Sequence, residues 1–281
     1  MKAYYSCLLD SKPKFYKQCF LLVHSLIELA NVPPQHIWVH FTNDVDEMIL
    51  QQLQALKIQL FEIERFGDER YCNKIAQLSN KNLHHADLVV LMDTDMIVTK
   101  PFIENVSIDC VNGKIVDLAN PDINVLEDIF QKAGIERTLG RVKTDISKEE
   151  TLKGNFNGGL YIIPKKYMKT VNESWRKWAL WLLEKKHLHK AGKGIHVDQV
   201  SFCMTLHENK LPIEHLNRKY NMPTHLSFYK DVDPYILHYH DLLTSNGLLP
   251  VDPHSSNAYK NTLEKVNSFI HSSYRKFNLE S

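Results

Sequence analysis

Residues 87–92, DLVVLM, run from one aspartate into five consecutive apolar side chains, the length and character of a strand buried on both faces. A sheet with one wet face cannot house such a strand, whereas a sheet covered by helices on both sides can. The segments upstream agree. Residues 3–9 read as a short apolar strand, and Phe15, Cys19, Leu22, Val23, Leu26 and Ala30 then recur at helical spacing until Asn31 and the Pro33-Pro34 pair stop them. A strand at 36–41, an amphipathic helix at 45–57, a strand at 58–63 and a helix at 71–86 follow. This alternation predicts βαβ units and a largely parallel sheet, an α/β fold of Rossmann-like type.

Further along, the pattern predicts strands at 114–119 and 160–163, a helix at 167–189, a helix at 198–209 and a late strand at 235–239. Trp175, Trp178 and Trp181 sit at helical spacing and are expected in the core. The polar, weakly patterned stretch 135–155 is expected to be a loop-rich insertion, a mobile lid on the substrate side. No repeat or Gly/Ser/Pro linker divides the chain, so one domain is expected over 1–258, followed by an amphipathic helix at 259–281. The apolar face of that helix, Leu263, Val266, Phe269, Ile270 and Tyr274, either packs on the domain or docks peripherally on a membrane.

Composition excludes some roles. With 34 Lys and Arg against 33 Asp and Glu, the chain has no global field to recruit nucleic acid, so an anionic ligand must be held by local groups. Five cysteines without a CxxC pair suit reduced thiols and a cytoplasmic compartment. Neither a secretory leader nor an apolar run of ~18 residues is recognisable, so secretion and membrane spanning are not expected.

The chemistry concentrates in four places. In LVVLMDTDMIV, residues 88–98, the buried strand runs into Asp93 and Asp95. Side chains two apart in an extended segment share a face, so both carboxylates can meet one hard cation at the carboxyl edge of a sheet. A turn or a helix-capping pair is the plain alternative. In GNFNGGLYIIP, Asn157 offers a donor and an acceptor, and Gly158 and Gly159, just before a strand, allow close backbone approach to a ligand. In HVDQ, Asp198 and Gln199 stand where a helix begins, so sugar recognition competes with simple capping by Asp198. In PYILHYHD, His238 and His240 end a late strand, and one imidazole can complete a metal site made otherwise of oxygens. Lys74, in the segment before the DLVVLM strand, is a candidate cation for phosphate or ribose.

The order MDTD, FNGGLYIIP, VDQ, ILHYH resembles the nucleotide-sugar glycosyltransferases of the GT-A fold. It is most similar to glycosyltransferase family 8, the glycogenin and bacterial lipopolysaccharide galactosyltransferase group, over roughly residues 1–240. The resemblance implies a GT-A-like mixed sheet flanked by helices, a UDP-sugar donor, retention of anomeric configuration, and Mn2+ or Mg2+ held by Asp93, Asp95 and His238. It places the nucleotide base near Leu8, Leu9 and Asp10. Donor contacts fall to Lys74, Thr94, Asn157, Gly158 and Gly159 together with the two aspartates, and Asp198 and Gln199 become the catalytic pair. The Lys-Pro pair that the family carries after its histidine is absent, since Tyr239, His240, Asp241 and residues 242–247 follow instead, and Lys74 stands in for its cation.

Two rival readings share parts of this pattern. A haloacid-dehalogenase-like phosphatase also places DxD after an apolar strand, with the first aspartate as nucleophile, but near the start of the chain rather than after three strands. A non-catalytic nucleotide-sugar-binding module would keep the same fold without turnover.

Overall fold

The computed structural model describes residues 1–136, 138–226, 232–240 and 242–279. In chain order the elements are β1 (Ala3–Leu9), α1 (Pro13–Glu28), β2 (Ile37–Thr42), α2 (Glu47–Ala55), β3 (Gln59–Ile63), β4 (Leu88–Met92), β5 (Met96–Val98), β6 (Val111–Ile115), α3 (Ile123–Ala133), β7 (Arg141–Lys143), β8 (Glu150–Leu152), β9 (Phe156–Pro164), α4 (Lys165–Lys185), α5 (His187–Lys190), α6 (Val197–Glu208), β10 (Ile213–His215), β11 (Met222–Pro223), β12 (Ile236–His238) and α7 (Asn257–Phe277). The class is mixed α/β, with sheet strands flanked by helices. The chain forms two compact units, each assembled from separated stretches of sequence.

The first unit comprises Met1–Tyr4, Ile63–Leu91 and Ser107–Leu216. Its strands lie in the order β10-β6-β9-β4. β10 runs parallel to β6, and β6 antiparallel to β9 with Gly113 opposite Tyr161, so the sheet here is mixed rather than purely parallel. The apolar face of α4 packs against α6. Trp175 is fully buried there, Trp178 nearly so, and Trp175 meets the Tyr161 and Phe202 rings edge-on.

Four expectations change in this unit. Residues 71–86 form two 3-10 helices, Tyr71–Ser79 and Lys81–His85, in place of one α-helix. Asparagine side chains divert the backbone: Asn73 Oδ1 accepts the Phe66 N–H at 2.8 Å, and Asn80 Oδ1 caps the second turn through the Asn82 N–H. β6 ends at Ile115, short of the expected 119, because its partner β9 begins opposite that residue. The stretch 135–155 contains an antiparallel hairpin, β7 with β8, pinned by Arg141 to Glu150 and to Glu127, while Arg137 lies outside the described residues. Helix α3 was not anticipated. Its signals are local, with Asp122 accepting two N–H groups as N-cap, Leu126, Ile129 and Phe130 buried on one face, and Gly134 closing the helix at φ 68°.

The second unit comprises Tyr5–Glu62, Met92–Val106 and Asn217–Ser281. Parallel strands β1 and β2 pair Leu8 with His40 and Leu9 with Phe41, and β3 lies beyond β2. A second small sheet has the order β11-β12-β5. Helix α1 is buried all round from Gln18 to Leu26 rather than on a single stripe, and Ser25 Oγ accepts the Val98 N–H of β5. Helix α7 begins at a Ser256 N-cap and buries Leu263, Val266, Ile270 and Tyr274. His24 of α1 hydrogen-bonds Ser273 at 2.8 Å and stacks on Phe269. Glu280 and Ser281, the end of the expected 259–281 segment, lie outside the described residues. Among the described residues no helix is long and apolar enough to cross a membrane. None of the five cysteines is in a disulfide.

Candidate active site

After β4 the chain enters the second unit, where it bends at Thr94 and Asp95 before β5 begins at Met96. The buried Thr94 hydroxyl donates to Gln18 Oε1 of α1 at 3.2 Å, which anchors the bend. β12 lies antiparallel to β5 with His238 opposite Met96, and the Tyr239 N–H donates to the Asp95 carbonyl at 3.0 Å. This register sets His238 Nε2 3.3 Å from Asp95 Oδ1. The other ring nitrogen, Nδ1, lies 2.9 Å from the Oδ1 of the fully buried Asn221. A carbonyl oxygen only accepts, so Nδ1 donates to Asn221 and the ring is oriented with Nε2 toward the carboxylate.

His240 completes the group. Its ring stacks on His238 with centroids 3.6 Å apart, and one ligand atom each from Asp95, His238 and His240 lies within 4.8 Å of the others. His240 has φ 47°, the left-handed region, which costs a non-glycine residue on the order of 1 kcal/mol. Burial alone would raise the Asp95 carboxyl. The facing His238, by charge and hydrogen bond, and then His240 outweigh it and bring Asp95 down to about 2. Asp95 is therefore an anion at neutral pH, and a carboxylate with two imidazole nitrogens at this spacing is a donor set that suits a divalent cation.

Asp93 lies outside this cluster. The expectation of a shared face rested on an extended segment, and the chain instead bends at Thr94 and Asp95. At the end of β1, Leu8 is partly exposed and Leu9 is fully buried, so the Leu9 side chain belongs to the core and only its backbone can meet a ligand. Asp10 accepts the Ser11 N–H at 2.7 Å, and Ser11 in turn donates to Asp44. Asp241 falls outside the described residues.

The second group of candidates lies in the first unit. Asp198 is in the first turn of α6, where the N-cap position is His196 and makes no side-chain capping bond, so Asp198 is not the cap. Its carboxylate faces Lys74 Nζ at 3.5 Å, and the same ammonium donates to the Gly158 carbonyl at 2.8 Å. Both side chains are largely buried. Asn157, Gly158 and Gly159 lie inside β9, one residue past its start, rather than before a strand. Neither glycine has positive φ. A Cβ at Gly158 would stand 3.4 Å from Asp198 Oδ2 and 3.7 Å from Lys74 Nζ, so the missing side chain keeps this polar corner open. Gln199 donates to Asn155 Oδ1 at 3.1 Å. Below them, Trp175 Nε1 donates to the Asp198 carbonyl at 2.8 Å and fixes the start of α6.

Three residues here escaped the sequence reading. Asn157 Nδ2 donates to Asp117 Oδ2 at 3.2 Å, and Asp117 is paired with Lys114, which also faces Asp145 at 3.6 Å. The Lys114 side chain is only 1% exposed. Its sequence signal was a lysine between apolar neighbours in a predicted strand, with an aspartate three residues on.

Comparison with known proteins bears on the family and the fold. Residues 11–210 match the Rhodobacterales glycosyltransferase domain. The chain belongs to this glycosyltransferase family. Solved structures with the same fold include mouse xyloside xylosyltransferase 1, at 13% identity and TM-score 0.50, where 89% of this chain is covered and 100% of that one. They also include the galactosyltransferase LgtC bound to donor and acceptor sugar analogues, at 13% identity and TM-score 0.50, with 97% and 99% covered. GlyE of Streptococcus pneumoniae TIGR4 aligns at 16% identity and TM-score 0.51, with 100% of this chain covered but 65% of that one. These likenesses establish a GT-A glycosyltransferase fold. No curated protein matches by sequence.

Proposed function

We propose that this glycosyltransferase transfers a hexose from a UDP-sugar to a hydroxyl acceptor with a divalent cation as cofactor and with retention of configuration, the chemistry of the family 8 enzymes it resembles. The observation that carries the reading is the Asp95–His238 pair, an ionised carboxylate 3.3 Å from the Nε2 of an imidazole that a buried asparagine orients. Asp95 and His238 hold the cation, Asp93 and Thr94 stand on the same turn, where the Asp93 carboxylate meets the donor's diphosphate only across that cation, and the end of β1, Leu8, the Leu9 backbone and Asp10, serves the base. A bound cation supplies positive charge to the departing diphosphate, worth several kcal/mol as an order of magnitude.

Asp198 is the residue assigned to the sugar. Lys74, itself anchored by donating to the Gly158 carbonyl, holds its carboxylate in one place, from which it supports the positive charge that develops at the anomeric carbon. Gln199, Asn157 and Gly159 complete the hydroxyl contacts. In the step, the bond from the anomeric carbon to the phosphate oxygen breaks and the bond to the acceptor oxygen forms on the same face. The acceptor proton passes to the diphosphate, and no side chain is assigned as a covalent nucleophile.

The test measures nucleotide release from a panel of UDP-hexoses with Mn2+, with Mg2+ and with chelator, and reads the product anomer by NMR. Release that needs cation and drops by roughly 10²-fold or more in Asp95→Asn is expected. Binding of UDP-sugar without any release would mark a non-catalytic module instead.

A further inference from the structure

Resting on the metal-dependent reading above, the geometry points to His240 as a third protein ligand, which makes the cation site a two-imidazole, one-carboxylate site selective for nitrogen-favouring transition ions over Mg2+. The resemblance to family 8 supplied one histidine and two aspartates; in this chain the third group brought into ligand range is an imidazole.

Three observations converge on this residue. A ligand nitrogen of His240 lies within 4.8 Å of both the Asp95 carboxylate and a His238 nitrogen, so small side-chain adjustments bring all three within the roughly 4 Å that two bonds of about 2.0–2.2 Å to one shared ion can span. The backbone holds His240 at φ 47°, so the chain adopts an uncommon conformation at the residue that delivers this ring. The ring also meets His225 edge-on with centroids 4.9 Å apart, and His238 Nδ1 is hydrogen-bonded to Asn221, so both imidazoles have defined orientations before any ion arrives.

The donor set decides the class of ion. Mg2+ seeks near-octahedral oxygen ligands and gains little from imidazole, whereas Co2+, Ni2+ and Zn2+ bind imidazole well and rise in affinity above Mn2+ in the Irving–Williams order. The expected ranking in the absence of donor is therefore Zn2+ and Co2+ above Mn2+, with Mg2+ weakest.

The experiment is direct cation binding to the full chain without substrate, by calorimetry and by the visible spectrum of bound Co2+. The wild type is compared with His240→Asn, His240→Gly and Asp95→Asn. Asparagine and glycine both tolerate positive φ, so the backbone is not further strained, and circular dichroism checks the fold of each. The proposal expects Co2+ and Zn2+ affinity to fall about 10- to 100-fold in both His240 variants, with the Co2+ bands altered and Mg2+ binding little changed. It also expects added imidazole to restore the bands in His240→Gly. If both His240 variants keep wild-type Co2+ affinity and spectrum while Asp95→Asn loses them, His240 is not a ligand and the metal-dependent reading survives. If the wild type binds none of these cations, that underlying reading fails as well.

Discussion

Lys114 lies almost wholly out of solvent between Asp117 and Asp145, and Asp117 in turn receives the Asn157 amide. A buried cation between two carboxylates contributes little when intact, because desolvation offsets much of its attraction, but its removal leaves like charges facing each other. Lys114→Met is therefore expected to lose about 3–5 kcal/mol in urea unfolding, and the double variant with Asp145→Asn to recover part of it. Equal stability of Lys114→Met and wild type would show that water reaches the pair. The same arithmetic explains why sequence reading missed these residues. A lysine in a strand pattern usually marks a solvated edge, and only the approach of the β7–β8 turn, whose Asp145 N–H meets the Val116 carbonyl, closes this one in.

At the scale of elements, strand β6 shows how a small residue sets a register. A Cβ on Gly113 would lie 2.4 Å from the Phe156 ring across the β6–β9 ladder, well inside contact distance. Gly113→Ala is expected to cost about 1–3 kcal/mol by overpacking, and Gly113→Ala with Phe156→Leu to regain much of that, as chemical denaturation would show. Elements whose signals are periodic were readable in advance: β1, α1, β2, α2, β3, β4, α6 and β12 fall within a few residues of their predicted positions. Elements stabilised by side chains that compete with the backbone were not. Asn73 and Asn80 turn an apparent α-helix into 3-10 turns, and the β7–β8 hairpin depends on Arg141 reaching Glu127 on α3, a contact that no local pattern encodes.

At the scale of the molecule, both units bury neutral histidines. Burial lowers His40 to about 3, and burial also lowers His207, His215 and His196. An unfolded histidine takes up its proton near pH 6.5, while these folded ones resist it, so the unfolded state binds more protons as pH falls. The stability they contribute is complete above about pH 6.5 and is lost progressively below it, down toward pH 3 for His40. Unfolding free energies from urea titrations should fall between pH 7 and pH 5, by up to about 1.4 kcal/mol per pH unit for each such histidine, and His40→Gln should flatten the slope. Helix α7 gives a second molecular prediction. Its apolar residues are already buried within the second unit, so the chain should stay in the supernatant when sedimented with anionic liposomes. Pelleting would show that this face can be released to a membrane.

The amino-acid sequence by itself determined the α/β class, the apolar strand that leads to Asp93 and Asp95, and the residue types from which a glycosyltransferase site is assembled. Periodicity and residue chemistry are local properties, and they survive without a partner. What only the tertiary structure decided is which of those residues meet. Asp95 rather than Asp93 joins the ligand cluster, the β5–β12 register brings His238 to Asp95, and positive φ at His240 lays a second imidazole beside it. Each of these contacts joins residues far apart in the chain or depends on one backbone angle, and neither is encoded in the spacing of side chains along a strand.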